Sequence, residues 1–150
     1  MTRTRTLALA IGLALAASGA LAGCGRPDVT KARLERAIGP AFASLYVQRA
    51  DLLGEPGVTV RSIGASTACD RGGPKVADVG PGPDWICMIH FMDDHGQPQD
   101  GKFEVQVRAD ATYLAGGPTK LIGQATLTDS HGHDVPNPVF EWDGAFDPDK

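Results

Sequence analysis

The chain has 150 residues, with 14 basic side chains against 18 acidic ones and a formal net charge of −4. The basic residues are scattered rather than clustered, which argues against a surface that holds nucleic acid. With 19 glycines, 11 prolines and three cysteines, a chain of this length suits one domain rather than several.

At the N-terminus, Arg3 and Arg5 precede an uncharged run over 7–21 that ends in Leu21-Ala22-Gly23-Cys24. The run has the length of a signal-peptide core and falls short of the roughly 20 residues that span a bilayer. Leu-Ala-Gly-Cys resembles the lipobox of bacterial lipoproteins. That resemblance implies a signal peptide over 1–23, removed to leave Cys24 as a lipid-bearing N-terminus. Palmitate-class acyl chains would then hold the protein on the extracytoplasmic face of the cell membrane. Two or three chains anchor stably where one binds marginally, at about 0.8 kcal/mol per buried methylene. Cleavage removes Arg3 and Arg5 and no acid, leaving 12 basic residues against 18 acidic ones, a charge of −6. No polybasic patch for anionic lipid results, so the acyl chains are expected to be the whole anchor. Residues 24–28 then form a short tether, and 29–150 a single extracytoplasmic domain close to the membrane.

From residue 29 the spacing predicts a helix. Leu34, Ile38, Phe42, Leu45 and Leu52 recur near a 3.6-residue period, with Asp28 or Thr30 as the N-cap. Gly39-Pro40 predicts a kink or a split, since proline removes a backbone hydrogen bond and crowds the carbonyl four residues back. Gly54 and Pro56-Gly57 end the segment. Residues 58–63 alternate as a strand leading to Cys69, and 70–84, rich in Gly and Pro, read as a long loop. Residues 85–92 are apolar at both parities and predict a central strand covered on both faces. A polar turn over 93–101 joins it to an alternating strand over 102–113, with Phe103, Val105, Val107, Ala109 and Ala111 inward. Two further strands are expected at 121–127 and 139–142, across a turn over 128–138. The class is therefore α+β, a kinked N-terminal helix packed on an antiparallel sheet of about five strands.

Cys69 and Cys87 remain once Cys24 carries lipid, and an even pair in an exported chain reads as a disulfide. Closing a loop of that length stabilises the fold by roughly 3 kcal/mol in the chain-entropy model.

Three further stretches carry a family likeness. Cys69-Asp70-Arg71-Gly72-Gly73-Pro74-Lys75, Asp84-Trp85-Ile86-Cys87 and Pro136-Asn137-Pro138-Val139-Phe140-Glu141-Trp142-Asp143-Gly144 are similar to a group of small actinobacterial lipoproteins of uncharacterised function. Some members have cysteines where this chain has Thr112 and Ala145. The resemblance therefore implies that these two positions lie close in space.

Candidate chemistry is sparse. His131-Gly132-His133-Asp134, preceded by Asp129, is the best metal-like cluster. Two imidazoles two residues apart can converge across a tight turn, and a carboxylate can complete a zinc or copper site. A further ligand, His95 or Asp94, would be needed, and the same segment also reads as a plain hairpin turn. Asp93-Asp94-His95-Gly96 departs from the Asp-x-Asp-x-Asp-Gly loop that wraps calcium and reads as a solvated hairpin tip. His90, mid-strand, reads as a partly buried histidine with a backbone partner. Ser44, Ser62, Ser66 and Ser130 lie in neither Gly-x-Ser-x-Gly nor Ser-x-x-Lys. The prolines of Gly80-Pro81-Gly82-Pro83 remove the amides a phosphate cradle needs. Trp142 and Phe140 either seal the sheet or rim a groove between sheet and helix, and are the candidate binding residues.

No catalytic residue is assigned, and no cofactor is expected apart from the metal alternative. The sequence favours a non-catalytic envelope module, held to the membrane by lipid, that binds a protein partner or a small apolar ligand beneath the helix. The alternative is a metal-binding sensor or metal-dependent enzyme built on His131, His133 and Asp134.

Overall fold

A computed structural model describes residues 29–146. The expected signal peptide 1–23, Cys24 and the tether 24–28 lie outside the described residues, as do 147–150.

Helix α1, Lys31–Leu53, starts where the Thr30 hydroxyl accepts the Arg33 amide and stops at Gly54, whose φ of 74° supplies the left-handed cap. Leu34, Ile38, Phe42, Tyr46 and Ala50 form its buried stripe, joined by Gly39 and Ala43. Leu45 and Leu52, expected in that stripe, are only half-buried. Gly39-Pro40 does not split the helix. Both Pro40 and Arg36, whose carbonyl loses its partner, face solvent, so water can serve the freed group. Gly39 has a different task. A Cβ there would lie 2.9 Å from Thr67 Oγ1, so its absence lets the first strand approach the helix.

Residues 58–63 are not the expected strand. Thr59 and Ser62 form a reciprocal capping box that opens a short helix α2, Val60–Ile63, closed by Gly64. A local cap satisfying two amides outweighs a weak alternation. The strands are β1 Ser66–Asp70, β2 Gly82–Met92, β3 Pro98–Val107, β4 Thr112–Gly116, β5 Thr126–Thr128, β6 Asp134–Pro136 and β7 Glu141–Ala145, with α3, Thr119–Ile122, between β4 and β5. The main sheet runs β1-β2-β3-β4-β7, antiparallel throughout, and β5 and β6 form a separate hairpin. The α+β class and the five-stranded sheet under an N-terminal helix are thus as the sequence predicts.

Three local expectations are corrected. Strand β2 buries Trp85, Cys87, Ile89 and Phe91 on the helix side, while Ile86 and Met88 are half-buried and His90 and Met92 exposed. It is covered on one face, not both. The run over 102–113 breaks into β3 and β4 at a turn, where Asp110 accepts the amide and hydroxyl of Thr112 and Ala111 takes a φ of 64°. Ala109 is consequently exposed rather than inward. The two late strands are displaced, because buried Asn137 donates to the carbonyls of Ile122 and Gln124 and accepts the amide of Val139. That knot turns the chain at 137–140, so 121–127 divides between α3 and β5, and β7 begins at Glu141.

The core is aromatic. Phe42 meets Phe91 at 4.8 Å and Phe103 at 5.3 Å between ring centres, with Tyr46 and Trp142 beyond. Cys69 and Cys87 stand directly opposite on β1 and β2, both buried, and form the expected disulfide. Thr112 and Ala145 likewise face each other across β4 and β7, the proximity implied by the lipoprotein resemblance.

Some glycines are spaces that rings occupy. A Cβ at Gly144 would overlap the Tyr113 ring, whereas one at Gly116 would meet only the Phe140 carbonyl at 3.7 Å. We expect Gly144→Ala to cost about 1–3 kcal/mol, the range for overpacking a core, and Gly116→Ala to change stability little. Urea unfolding of both variants checks this. Equal effects would contradict the packing.

Candidate functional site

The histidine-bearing turns are built alike. At the tip of β2 and β3, Asp93 Oδ1 accepts the amides of His95 and Gln97, and the Asp93 amide donates to the Gln97 carbonyl. At the tip of β5 and β6, Asp129 Oδ1 accepts the amides of His131 and His133, and the Asp129 amide donates to the His133 carbonyl. Gly96 and Gly132 hold the same positive φ, 71° and 85°. The shared pattern Asp-x-His-Gly-x is therefore a turn repeated twice, in which aspartate organises amides and glycine takes the left-handed position. The sequence carries that signal in its two Asp-x-His-Gly stretches, 93–96 and 129–132.

This geometry reassigns the metal candidates. The rings of His131 and His133 stack 6.4 Å apart and are exposed. Asp129 Oδ2 lies 4.0 and 3.5 Å from their Nδ1 atoms, but its other oxygen is engaged by the turn. Asp134 bonds the Thr128 hydroxyl at 3.0 Å across the β5–β6 pair. Among the described residues no three His, Cys, Asp or Glu side chains gather as a metal-holding group. His131, His133 and Asp134 are thus neighbours without a common focus. A shallow recess of about 370 Å³ lies beside His131, between it and Gln48, Asp51 and Leu52 of α1.

Ser130 approaches His131 Nδ1 at 3.4 Å, the same ring nitrogen that faces Asp129. A serine–histidine–aspartate relay needs the hydroxyl and the carboxylate on opposite nitrogens, so these three residues do not make one. His90 is exposed, and its partner is the carboxylate of Asp100 at 2.6 Å, rather than the backbone. Asp94 sits against the end of α1, where burial first and Asp94 second raise the pKa values of Tyr46 and Glu55. Glu55 was not legible as part of this contact, because its approach to the hairpin depends on how α1 crosses the sheet.

Trp142 and Phe140, expected to act together, do not. Trp142 lies on the helix side of the sheet, 6% exposed, with its ring 5.6 Å from Phe103. Phe140, in the turn before β7, rims a groove on the opposite face. That groove has a volume of about 400 Å³ and is lined by Pro83, Lys102, Glu104, Gln106, Leu114, Gly116, Gly117, Pro118, Phe140 and Glu141. Its form follows from the register. Gly116 on β4 stands opposite Glu104 on β3 and Glu141 on β7, so the sheet offers a gap flanked by two glutamates whose backbone positions are about 10 Å apart along the hydrogen-bonding direction. Leu114 and Phe140 supply apolar contact, and Lys102 is the cation at the rim. The arrangement suits an extended segment carrying a basic side chain.

Asp129 and Asp93 are both held below the usual carboxylate range, first by the amide four residues on and further by the amide two residues on. A lowered folded-state pKa stabilises the fold above the unfolded value of about 4 and loses that contribution as the pH falls through the folded value. Asp129→Ala should therefore lower the thermal midpoint at neutral pH, and the gap from the parent should narrow as the pH falls below the usual aspartate range. His131→Ala with His133→Ala should leave the midpoint unchanged, since the turn uses their amides. A destabilised double variant would assign the rings a role the geometry does not. No protein-family model, curated protein sequence or solved structure matches the chain.

Proposed function

We propose that this protein is a membrane-anchored extracytoplasmic lipoprotein acting as a non-catalytic binding module, and that it engages a protein partner. The groove on the uncovered sheet face carries this reading, because it combines apolar walls with two carboxylates around a glycine floor. The alternative place for a ligand, beneath the helix, is filled by Phe42, Phe91, Phe103 and Trp142. The Cys69–Cys87 disulfide supports an oxidising compartment outside the cytoplasm, and the lipobox-like Leu21-Ala22-Gly23-Cys24 supports the anchor. No helix among the described residues is long and apolar enough to cross a membrane.

Two experiments test the halves of this reading. Cys24→Ser should abolish incorporation of labelled palmitate and leave an uncleaved or released form; normal labelling would remove the lipobox. For the groove, a photo-crosslinking residue at Leu114 in the full chain should give a discrete adduct in the membrane fraction. Gly116→Leu, which fills the gap where a Cβ makes only an ordinary contact with the Phe140 carbonyl at 3.7 Å, should abolish the adduct without unfolding the domain. An adduct that survives this substitution would place binding elsewhere.

A further inference from the structure

We propose that the loop 71–81 lies flat against the lipid bilayer, with Val76 and Val79 in the interfacial layer, so that the domain has a fixed orientation on its membrane. The proposal rests on the lipoprotein reading of Cys24 and goes beyond it, because it assigns the bilayer a contact surface on the folded domain.

The place where the chain from Cys24 reaches the domain is sewn to this loop. The Val29 carbonyl accepts the Gly80 amide at 2.8 Å, the Lys31 amide donates to the Asp78 carbonyl at 3.1 Å, and Thr30 pairs antiparallel with Val79. Val29 is five residues from Cys24, a reach of at most about 18 Å at full extension. A lipid on Cys24 therefore holds the loop within that distance of the headgroups, whatever path the tether takes.

The loop presents what an interface accepts. Val76 and Val79 are 43% and 53% exposed, and the other large exposed apolar side chains among the described residues, Val60 and Met92, lie outside it. The presentation is rigid. Arg71 donates to the Val79 carbonyl at 2.6 Å and to Asp84 at 2.7 Å, Asp70 accepts the amides of Gly72 and Gly73, and the buried Trp85 ring donates to the Gly80 carbonyl. Charge does not oppose contact, although the domain is acidic overall. Asp84 is paired with Arg71, and Asp78 lies 3.9 Å from Lys31, so each of these two carboxylates has a cation beside it. Two aliphatic side chains and a lipid anchor act together as two signals, where the acyl chains alone leave orientation free.

Tryptophan reporters in the full lipid-bearing chain test this. The native Trp85 and Trp142 are buried, and their emission is subtracted by measuring the parent chain in the same vesicles. In phosphatidylcholine–phosphatidylglycerol vesicles with brominated acyl chains, the emission that Val79→Trp adds over the parent chain should fall several-fold against unbrominated vesicles and lie to the blue. Val76→Trp should behave alike. Met92→Trp, at the other end of the 11-residue β2 from Gly82 and about 33 Å along it, should be unaffected. Equal quenching at positions 79 and 92, or none at 79 in a chain that floats with the vesicles, overturns the orientation. A chain that carries no acyl mass and does not float overturns the lipoprotein reading, and this proposal with it.

Discussion

Phe42 projects from the middle of the one long helix into a socket formed by Phe91, Phe103 and Trp142, one ring from each of three strands. Burial of a side chain that size is worth roughly 1.5–3 kcal/mol, and losing it from a packed core costs about 3–5 kcal/mol. The contact matters beyond its energy because, among the described residues, only one long helix covers the five-stranded sheet, the other two being of four residues each. One face is sealed by aromatic rings, some of them lying over glycines that leave them room, as Tyr113 does over Gly144. The other face is left to solvent, and its half-buried Ile86, Met88 and Leu114 are the consequence. The groove beside Gly116 belongs to that uncovered face, so the same packing that makes the core also decides where the groove lies.

The edge of the sheet is managed by different means. Strand β1 has only five residues and is bound to β2 by the disulfide at directly paired positions. Its Cys69 amide, turned away from β2, is taken by Glu35 of α1 at 2.8 Å. A short edge strand whose free donor is covered by a helix side chain is poorly suited to pairing with another chain. From this staple the loop 71–81 departs, and it is tied back by Arg71, Trp85 and the bridge from Thr30. What composition alone suggests is a slack Gly/Pro connector is therefore a bonded platform. Val29, the loop and the helix start share one end of the molecule, while both Asp-x-His-Gly turns are at the tips of their hairpins.

The histidines illustrate how a sequence can point to chemistry that geometry disperses. His131, His133 and Asp134 are close in the chain, yet one oxygen of Asp129 is spent on amides and Asp134 bonds Thr128. The first of these was readable, since Asp-x-His-Gly recurs and each copy has the residues of a tight hairpin turn. Glu55 beside Asp94, and Glu104 beside Gly116 beside Glu141, were not readable. They are separated in sequence and meet through helix crossing and strand register.

By itself the sequence determined the class, the helix with its Gly54 stop, the Cys69–Cys87 pairing and the inward parity of β3. These follow from local periodicity, cap chemistry and cysteine number, none of which depends on distant contacts. Tertiary structure decided the rest. Continuity through Pro40 depended on which side of the helix faces water, and the late strands on a buried Asn137 bonded to two distant carbonyls. The groove depended on register between strands that lie some 25 residues apart in the chain at β4 and β7. Such contacts are set by which surfaces the core buries, a property of the whole packing that no local window contains.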